Sequence, residues 1–276
     1  MGKVISICNQ KGGTGKTTTA VNLASYLSII GKRVLLIDSD PQGNATSGAG
    51  VNKNTIEKSI YDVLLSKLTL SEIIKDTEIQ NLKVAPCNIN LTGAEIELVG
   101  AISRETRLRK AINSVRNDFD FIFIDTPPSL GLLTLNAIVA CDSVIIPIQC
   151  EFYALEGVSQ FLKTINLIRD GLNPSLEIEG VLLTMADFRT NLTTEVINEI
   201  KAYFKSKVYK TIIPRNIKLS EAPSFGKPIS IYDRNSIGAK RYEEFAREFL
   251  GEPIEQKIES SEHVSGQKTE NVVLNE

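Results

Sequence analysis

Short aliphatic runs alternate along the chain with longer stretches in which apolar side chains return every three or four positions. The runs are residues 3–8 (KVISIC), 32–38 (KRVLLID), 82–86 (LKVAP), 119–125 (FDFIFID), 142–148 (DSVIIPI), 178–185 (IEGVLLTM) and 211–214 (TIIP). They are apolar throughout, the pattern of strands covered on both faces in a parallel sheet. From Lys16 onward, Ala20, Leu23, Ala24, Leu27 and Ile30 recur at helical spacing and Gly31 supplies a stop. Residues 103–117, 154–172 and 193–206 are further helical segments. Strands alternating with helices predict the α/β class, a doubly wound, mostly parallel sheet with helices on both faces. No internal repeat breaks this order, which predicts one domain over residues 1–251. Residues 252–276 are polar and acidic with little to bury, and are expected to form a disordered tail.

Composition narrows the picture. A chain of 276 residues with 42% hydrophobic and 23% charged residues suits a soluble globular protein with a substantial core. It has no Trp and only 6% aromatic residues, against a surface built on stacked bases or sugars. The net charge of -2 hides an asymmetry: residues 252–276 carry six Glu and two Lys, which leaves about +2 on the rest. A near-neutral body can still present a basic face. The cysteines, Cys8, Cys87, Cys141 and Cys150, form no C-x-x-C pair, and the one histidine, His263, lies in the tail. A zinc site is therefore not expected, and Cys8 and Cys141 read as reduced core residues. With the first strand predicted from Lys3, a secretory signal is not expected, and no apolar run reaches the roughly 20 residues that span a bilayer.

The chemistry concentrates in NQKGGTGKTT, residues 9–18. A phosphate loop of the common form G-x-x-x-x-G-K-[ST] would start at position 10, which here is Gln10, and a second lysine, Lys11, stands inside the loop. The context of strand, glycine loop and helix is nonetheless right. Gly12, Gly13 and Gly15 let backbone N–H groups converge on phosphate oxygens around Thr14, and the following helix adds its positive end. Lys16 is placed to bridge terminal phosphates, Thr17 to ligate Mg²⁺ and Thr18 to reach the α-phosphate. Asp125 closes a buried strand, where a carboxylate can hold the hydration shell of the metal. Asp38 and Asp40 precede a Pro41-Gln42-Gly43-Asn44 turn, which either carboxylate could simply organise.

KGGTGKTT resembles the deviant Walker A loop of the ParA/MinD class of P-loop ATPases. DSDPQGNATSG (38–48), GAEIEL (93–98), IDTPPSLGLLTLNA (124–137), IPIQCEFYALEG (146–157), LLTMADFRTNL (182–192) and IPRNIKLSEAPSFGKPI (213–229) extend the resemblance to the chromosome-partitioning ParA branch, the Soj type. It spans essentially residues 1–250 and implies the P-loop NTPase fold, with ATP as substrate and Mg²⁺ as its ion. It implies that Lys11 reaches the partner's ATP across a two-fold interface, offsetting repulsion between facing nucleotides. Asp40 would sit near the attacking water, Asp38 near the metal shell, and Pro214 and Asn216 at the adenine edge.

The resemblance also implies partners: a second copy of the chain, non-specific double-stranded DNA and a ParB-type centromere-binding protein. The place of action would be cytoplasmic and nucleoid-associated. Arg189 matches a family position for DNA contact, and Lys218 falls where close relatives carry arginine. Arg215, Lys227, Arg234, Lys240 and Arg241 are further basic candidates. No DNA-reading helix-turn-helix is expected before residue 3. Three alternatives remain at this stage: a MinD-like membrane ATPase, disfavoured by the acidic tail, an iron-protein-like electron carrier and a metabolic kinase or ligase on the same loop.

Overall fold

The computed structural model describes residues 1–152 and 154–253. Its sheet has eight strands: β1 (Lys3–Ile7), β2 (Val34–Asp38), β3 (Lys75–Asp76), β4 (Leu82–Ala85), β5 (Phe121–Asp125), β6 (Ser143–Gln149), β7 (Glu177–Ala186) and β8 (Val208–Pro214). Their spatial order is β3-β4-β2-β5-β1-β6-β7-β8, and β3 alone runs antiparallel to its neighbour. Among the described residues five helices reach nine residues or more: α1 (Lys16–Ile29), α2 (Leu132–Ala140), α3 (Ala154–Gly171), α4 (Asn191–Phe204) and α5 (Ile237–Phe249).

The uninterrupted apolar runs have a simple cause. Alternate residues of each strand enter different cores. Ile5, Ile7, Leu36 and Phe123 pack under α1 and α5, while Val4, Leu35, Ile37, Ile122 and Ile124 face α2, α3 and α4. Each such side chain, fully removed from water, contributes on the order of 1.5–3 kcal/mol. The register then fixes the site. Ile7 lies level with Asp125 across β1 and β5, and Asp38 level with Asp125 across β2 and β5. The loops that follow β1, β2 and β5 therefore open at one edge of the sheet.

The sheet and its helices on both faces agree with the fold class read from the sequence. Some element limits differ. Residues 103–117 do not form one helix. Ser103 is left-handed (φ 55), Arg104–Thr106 is a 3-10 turn, and the α-helix covers only Arg107–Asn113. The buried Asn136 amide sets this start by accepting from Leu108 N–H (3.2 Å) and donating to the Arg104 carbonyl (2.8 Å). α2 was not visible in the sequence because it is apolar around most of its circumference, so no period shows. β8 starts three residues before residue 211, at Val208, where it pairs with Val181 of β7. From residue 254 onward the expected acidic tail lies outside the described residues.

Candidate active site

β1 leads into the loop of residues 8–15, and α1 starts at Lys16. Gly13 (φ 74) and Gly15 (φ 86) occupy the left-handed region that disfavours side chains. Gly12 does not, but it lies beneath Pro128, whose Cβ would be 3.7 Å from a Cβ placed on Gly12. The loop is braced from its surroundings. Asn9 donates to the Pro147 carbonyl (2.7 Å) and accepts from Lys11 N–H (3.0 Å), and Thr184 Oγ1 donates to the Thr14 carbonyl (2.9 Å). The first turn of α1 has no acidic residue and no side-chain cap. Its N–H groups thus offer positive potential to an anion.

Lys16 is buried, and its ammonium donates to the Lys11 carbonyl (2.9 Å). Burial pushes its pKa below the ordinary 10.5, against the opposing pull of Asp125, Cys8 and Asp40. The Lys11 side chain leaves the same loop in the other direction, half exposed, and forms an ion pair with Glu151. Thr17 Oγ1 donates to Asp125 Oδ2 (2.7 Å). Asp125 is fully buried, and its Oδ1 has no hydrogen-bond partner. Burial, then the charge of Asp38, push its pKa well above the ordinary 3.8, while the Thr17 hydroxyl opposes them.

Asp38 is also fully buried. Its Oδ2 accepts from Thr46 N–H and Oγ1 (both 2.7 Å), and Oδ1 accepts from Asp40 N–H (3.2 Å). Burial outweighs these bonds and raises its pKa to about 6. Asp40 accepts from Gln42 N–H (2.9 Å), so it does organise the turn after β2, and Cys87 donates to its carbonyl (3.1 Å). Among the described residues no group of three or more His, Cys, Asp and Glu side chains is arranged to hold a cation alone. The donor set does fit Mg²⁺ shared with phosphates: one threonine hydroxyl, plus a buried carboxylate oxygen without a partner that water on the ion would satisfy.

Thr18 lines a cavity of about 280 Å³ with Thr17, Asn22, Asn44, Leu219 and Lys227. Pro214 ends β8 beside Ala186, and Arg215 N–H donates to the Ala186 carbonyl (3.0 Å). Asn216 Oδ1 is shielded from water and unpartnered. The basic candidates separate. Arg189 follows β7 and Lys218 follows β8, adjacent strands ending at the same edge, and Arg215 is the first residue after β8. Both carry a local carboxylate: Arg189 is bidentate on Asp187 (2.8 and 2.6 Å), and Lys218 donates to Glu221 (2.8 Å). Lys227 belongs to the cavity beside the phosphate loop, Lys240 and Arg241 to α5, and Arg241 is tied to Glu244 (2.7 Å). Arg234 precedes α5.

Sequence reasoning missed Asn9, Thr46, Glu151 and Thr184. Asn9 stands just after a strand, where an Asx turn was a local signal. Thr46, Glu151 and Thr184 reach the site from other segments, and only the tertiary fold brings them there.

The chain matches the family described as AAA domain over residues 2–178. It is 60% identical over 248 residues to the sporulation initiation inhibitor protein Soj of Bacillus subtilis, an alignment covering 90% of this chain and 98% of that one. It is 52% identical over 250 residues to the chromosome partitioning protein ParA of Myxococcus xanthus, covering 91% and 88%. The chain belongs to the Soj/ParA family of chromosome-partitioning ATPases. Soj/ParA architecture extends to solved structures. Cobyrinic acid a,c-diamide synthase from Mycobacterium smegmatis, with bound ADP and magnesium, superposes with a TM-score of 0.79 at 37% identity, over 91% of this chain and 94% of that one. The septum site-determining protein MinD of Pyrococcus horikoshii, complexed with Mg-ADP, is more distant, with a TM-score of 0.74 at 26% identity over 90% and 96%. Among the described residues no helix is long and apolar enough to cross a membrane.

Proposed function

We propose that the chain uses Mg-ATP to close a dimer of itself on non-specific double-stranded DNA, and that hydrolysis, stimulated by DNA and a ParB-type partner, releases it. Repetition of that cycle segregates DNA on the nucleoid. The observation that carries this reading is the convergence, at one sheet edge, of Lys16, Thr17 and Asp125 with a second lysine, Lys11, that faces outward.

Residues 12–18 cradle the triphosphate, with Lys16 on its terminal oxygens. Bound Mg²⁺ would supply positive charge to the phosphates; Thr17 and Asp125 would hold it, with Asp38, whose oxygens serve Thr46 and Asp40, behind them. Asp40 orients the attacking water, positioning being what a loose phosphoryl-transfer transition state requires. Pro214 and Asn216 read the adenine edge, where the unpartnered Asn216 Oδ1 can accept from an exocyclic amine. Exposed apolar side chains ring this edge: Ile89 after β4, Leu130 after β5, Phe152 after β6, Phe188 after β7 and Ile217 after β8. They supply contact area for a second copy, while Lys11 exchanges Glu151 for the partner's nucleotide. Arg189 and Lys218, doubled by the two-fold, grip phosphates of the DNA backbone. The segment from residue 252 is proposed to remain outside this packed unit.

The deciding experiment is DNA co-sedimentation with ATP, ADP or no nucleotide at two salt concentrations. Binding that needs ATP and weakens steeply with salt supports the reading; binding indifferent to nucleotide refutes it.

A further inference from the structure

The helix Leu91–Glu97 follows β4 and buries Leu91 and Ala94 in the core. That anchoring turns the next residue, Glu95, toward the loop that leaves Asp125. Glu95 Oε1 is cut off from water and has no hydrogen-bond partner. It lies against Gly131, so that a Cβ added there would overlap it. Gly131 has φ -76 and ψ -172, an extended conformation open to any residue. Nothing in its backbone asks for glycine; a side chain at 131 would instead push the Glu95 carboxylate out of its place.

Gly131 is the last residue before α2, a helix with no acid in its first turn and no side-chain cap. A carboxylate placed there supplies the negative charge that the helix start lacks. The loop it meets runs from Asp125 to Gly131 and is tied at intervals. Thr126 Oγ1 donates to the Ile7 carbonyl (2.9 Å), Pro128 lies over Gly12, and Thr134 Oγ1 donates to the Ser129 carbonyl (2.6 Å). One end of this loop thus bears the carboxylate bonded to Thr17, its middle covers the phosphate loop, and its far end rests on Glu95.

We propose that Glu95 is a positioning residue for ATP hydrolysis: its carboxylate fixes the loop of residues 126–131 against the phosphate loop. The proposal rests on the ATPase reading above. It does not require Glu95 to touch nucleotide, so its removal should slow turnover and leave ATP affinity in place.

The test uses five full-length proteins, wild type, Glu95→Ala, Glu95→Gln, Gly131→Ala and the Glu95→Ala/Gly131→Ala double variant, with steady-state hydrolysis in the presence of DNA. Gly131→Ala should lower kcat about tenfold and Glu95→Ala about fivefold, with KM for ATP within about twofold of wild type. The double variant should be no slower than Gly131→Ala alone, because the new methyl has no carboxylate to displace. Glu95→Gln, which keeps the shape and removes the charge, should match Glu95→Ala. Losses that multiply in the double variant, a rise in KM in place of the fall in kcat, or full kcat in Glu95→Gln would each overturn the proposal. Normal turnover in both single variants refutes it alone, whereas a wild-type protein that hydrolyses no ATP refutes the ATPase reading as well.

Discussion

Lys11 and Lys16 leave one loop toward different surroundings. Lys16 is 6% exposed and enclosed by the loop and the carboxylates behind it, while Lys11 is half in solvent beside Glu151. Lys16→Ala should weaken ATP binding roughly a hundredfold, about 2.7 kcal/mol, measured by titration calorimetry. The carboxylates carry a pH signature. Asp38 has its pKa raised from 3.8 to about 6, so the folded state holds its proton more tightly than the unfolded chain. The stabilising effect is complete below about pH 4 and lost as pH rises through about 6. Without nucleotide, the melting temperature should therefore fall between about pH 4 and pH 6, and saturating Mg-ADP should shrink that fall, as read by scanning calorimetry. At this scale the sequence was informative wherever chemistry is local. Gly13 and Gly15 lie in the loop between β1 and α1, Lys16 and Thr17 open α1, and Asp125 ends β5, the structural context that their spacing implied. Thr184, which braces the phosphate loop, carries no such mark, because its bond to Thr14 joins residues 170 apart in the chain.

The elements show how a side chain can be read correctly while its segment is not. Residues 103–117 have helical composition, yet Asn136, from a helix further along, cuts the α-helix to Arg107–Asn113. Propensity gave way to a buried amide that could be satisfied only there. α5 is a case of close approach. Gly238, near its start, faces Leu219 and Asn216, and a Cβ there would come within 2.7 Å of Leu219 Cγ and 3.1 Å of Asn216 Oδ1. Gly238→Ala should push back the loop that carries Asn216 and weaken ATP binding about fivefold, checked by titration calorimetry. The loop after β7 holds Arg189 with 86% of its side chain exposed and its guanidinium on Asp187. That carboxylate, whose pKa is lowered to about 2 by Arg189, stays charged at every working pH and repels phosphate. Asp187→Ala should raise DNA affinity about threefold and Arg189→Glu should lower it, both by fluorescence anisotropy, with ATP-dependent association unchanged.

For the whole molecule, the seven-strand parallel sheet sets the geometry: every strand that ends near the phosphate loop delivers one functional loop to the same edge. That much was legible from alternating runs, since parallel strands buried on both sides leave an unbroken apolar trace. The packing partners of α1 were not. Asp40→Ala should trap the dimer, giving a light-scattering mass near twice the monomer with Mg-ATP and prolonged residence on DNA; a monomer under those conditions would remove the basis of the scheme. α1, which carries the phosphate loop, owes its outer support to residues made much later. Thr19 Oγ1 meets Tyr242 Oη (3.1 Å), Ser25 Oγ meets Ser230 Oγ (2.6 Å), and Phe245 and Ala246 are buried in the same core as Leu23 and Leu27. During synthesis, the ribosome must therefore release residue 246 before the first helix it produced can be clamped. Nascent chains halted earlier should leave that helix open to chaperones and proteases, and ATP capture should become a late event in the life of each copy.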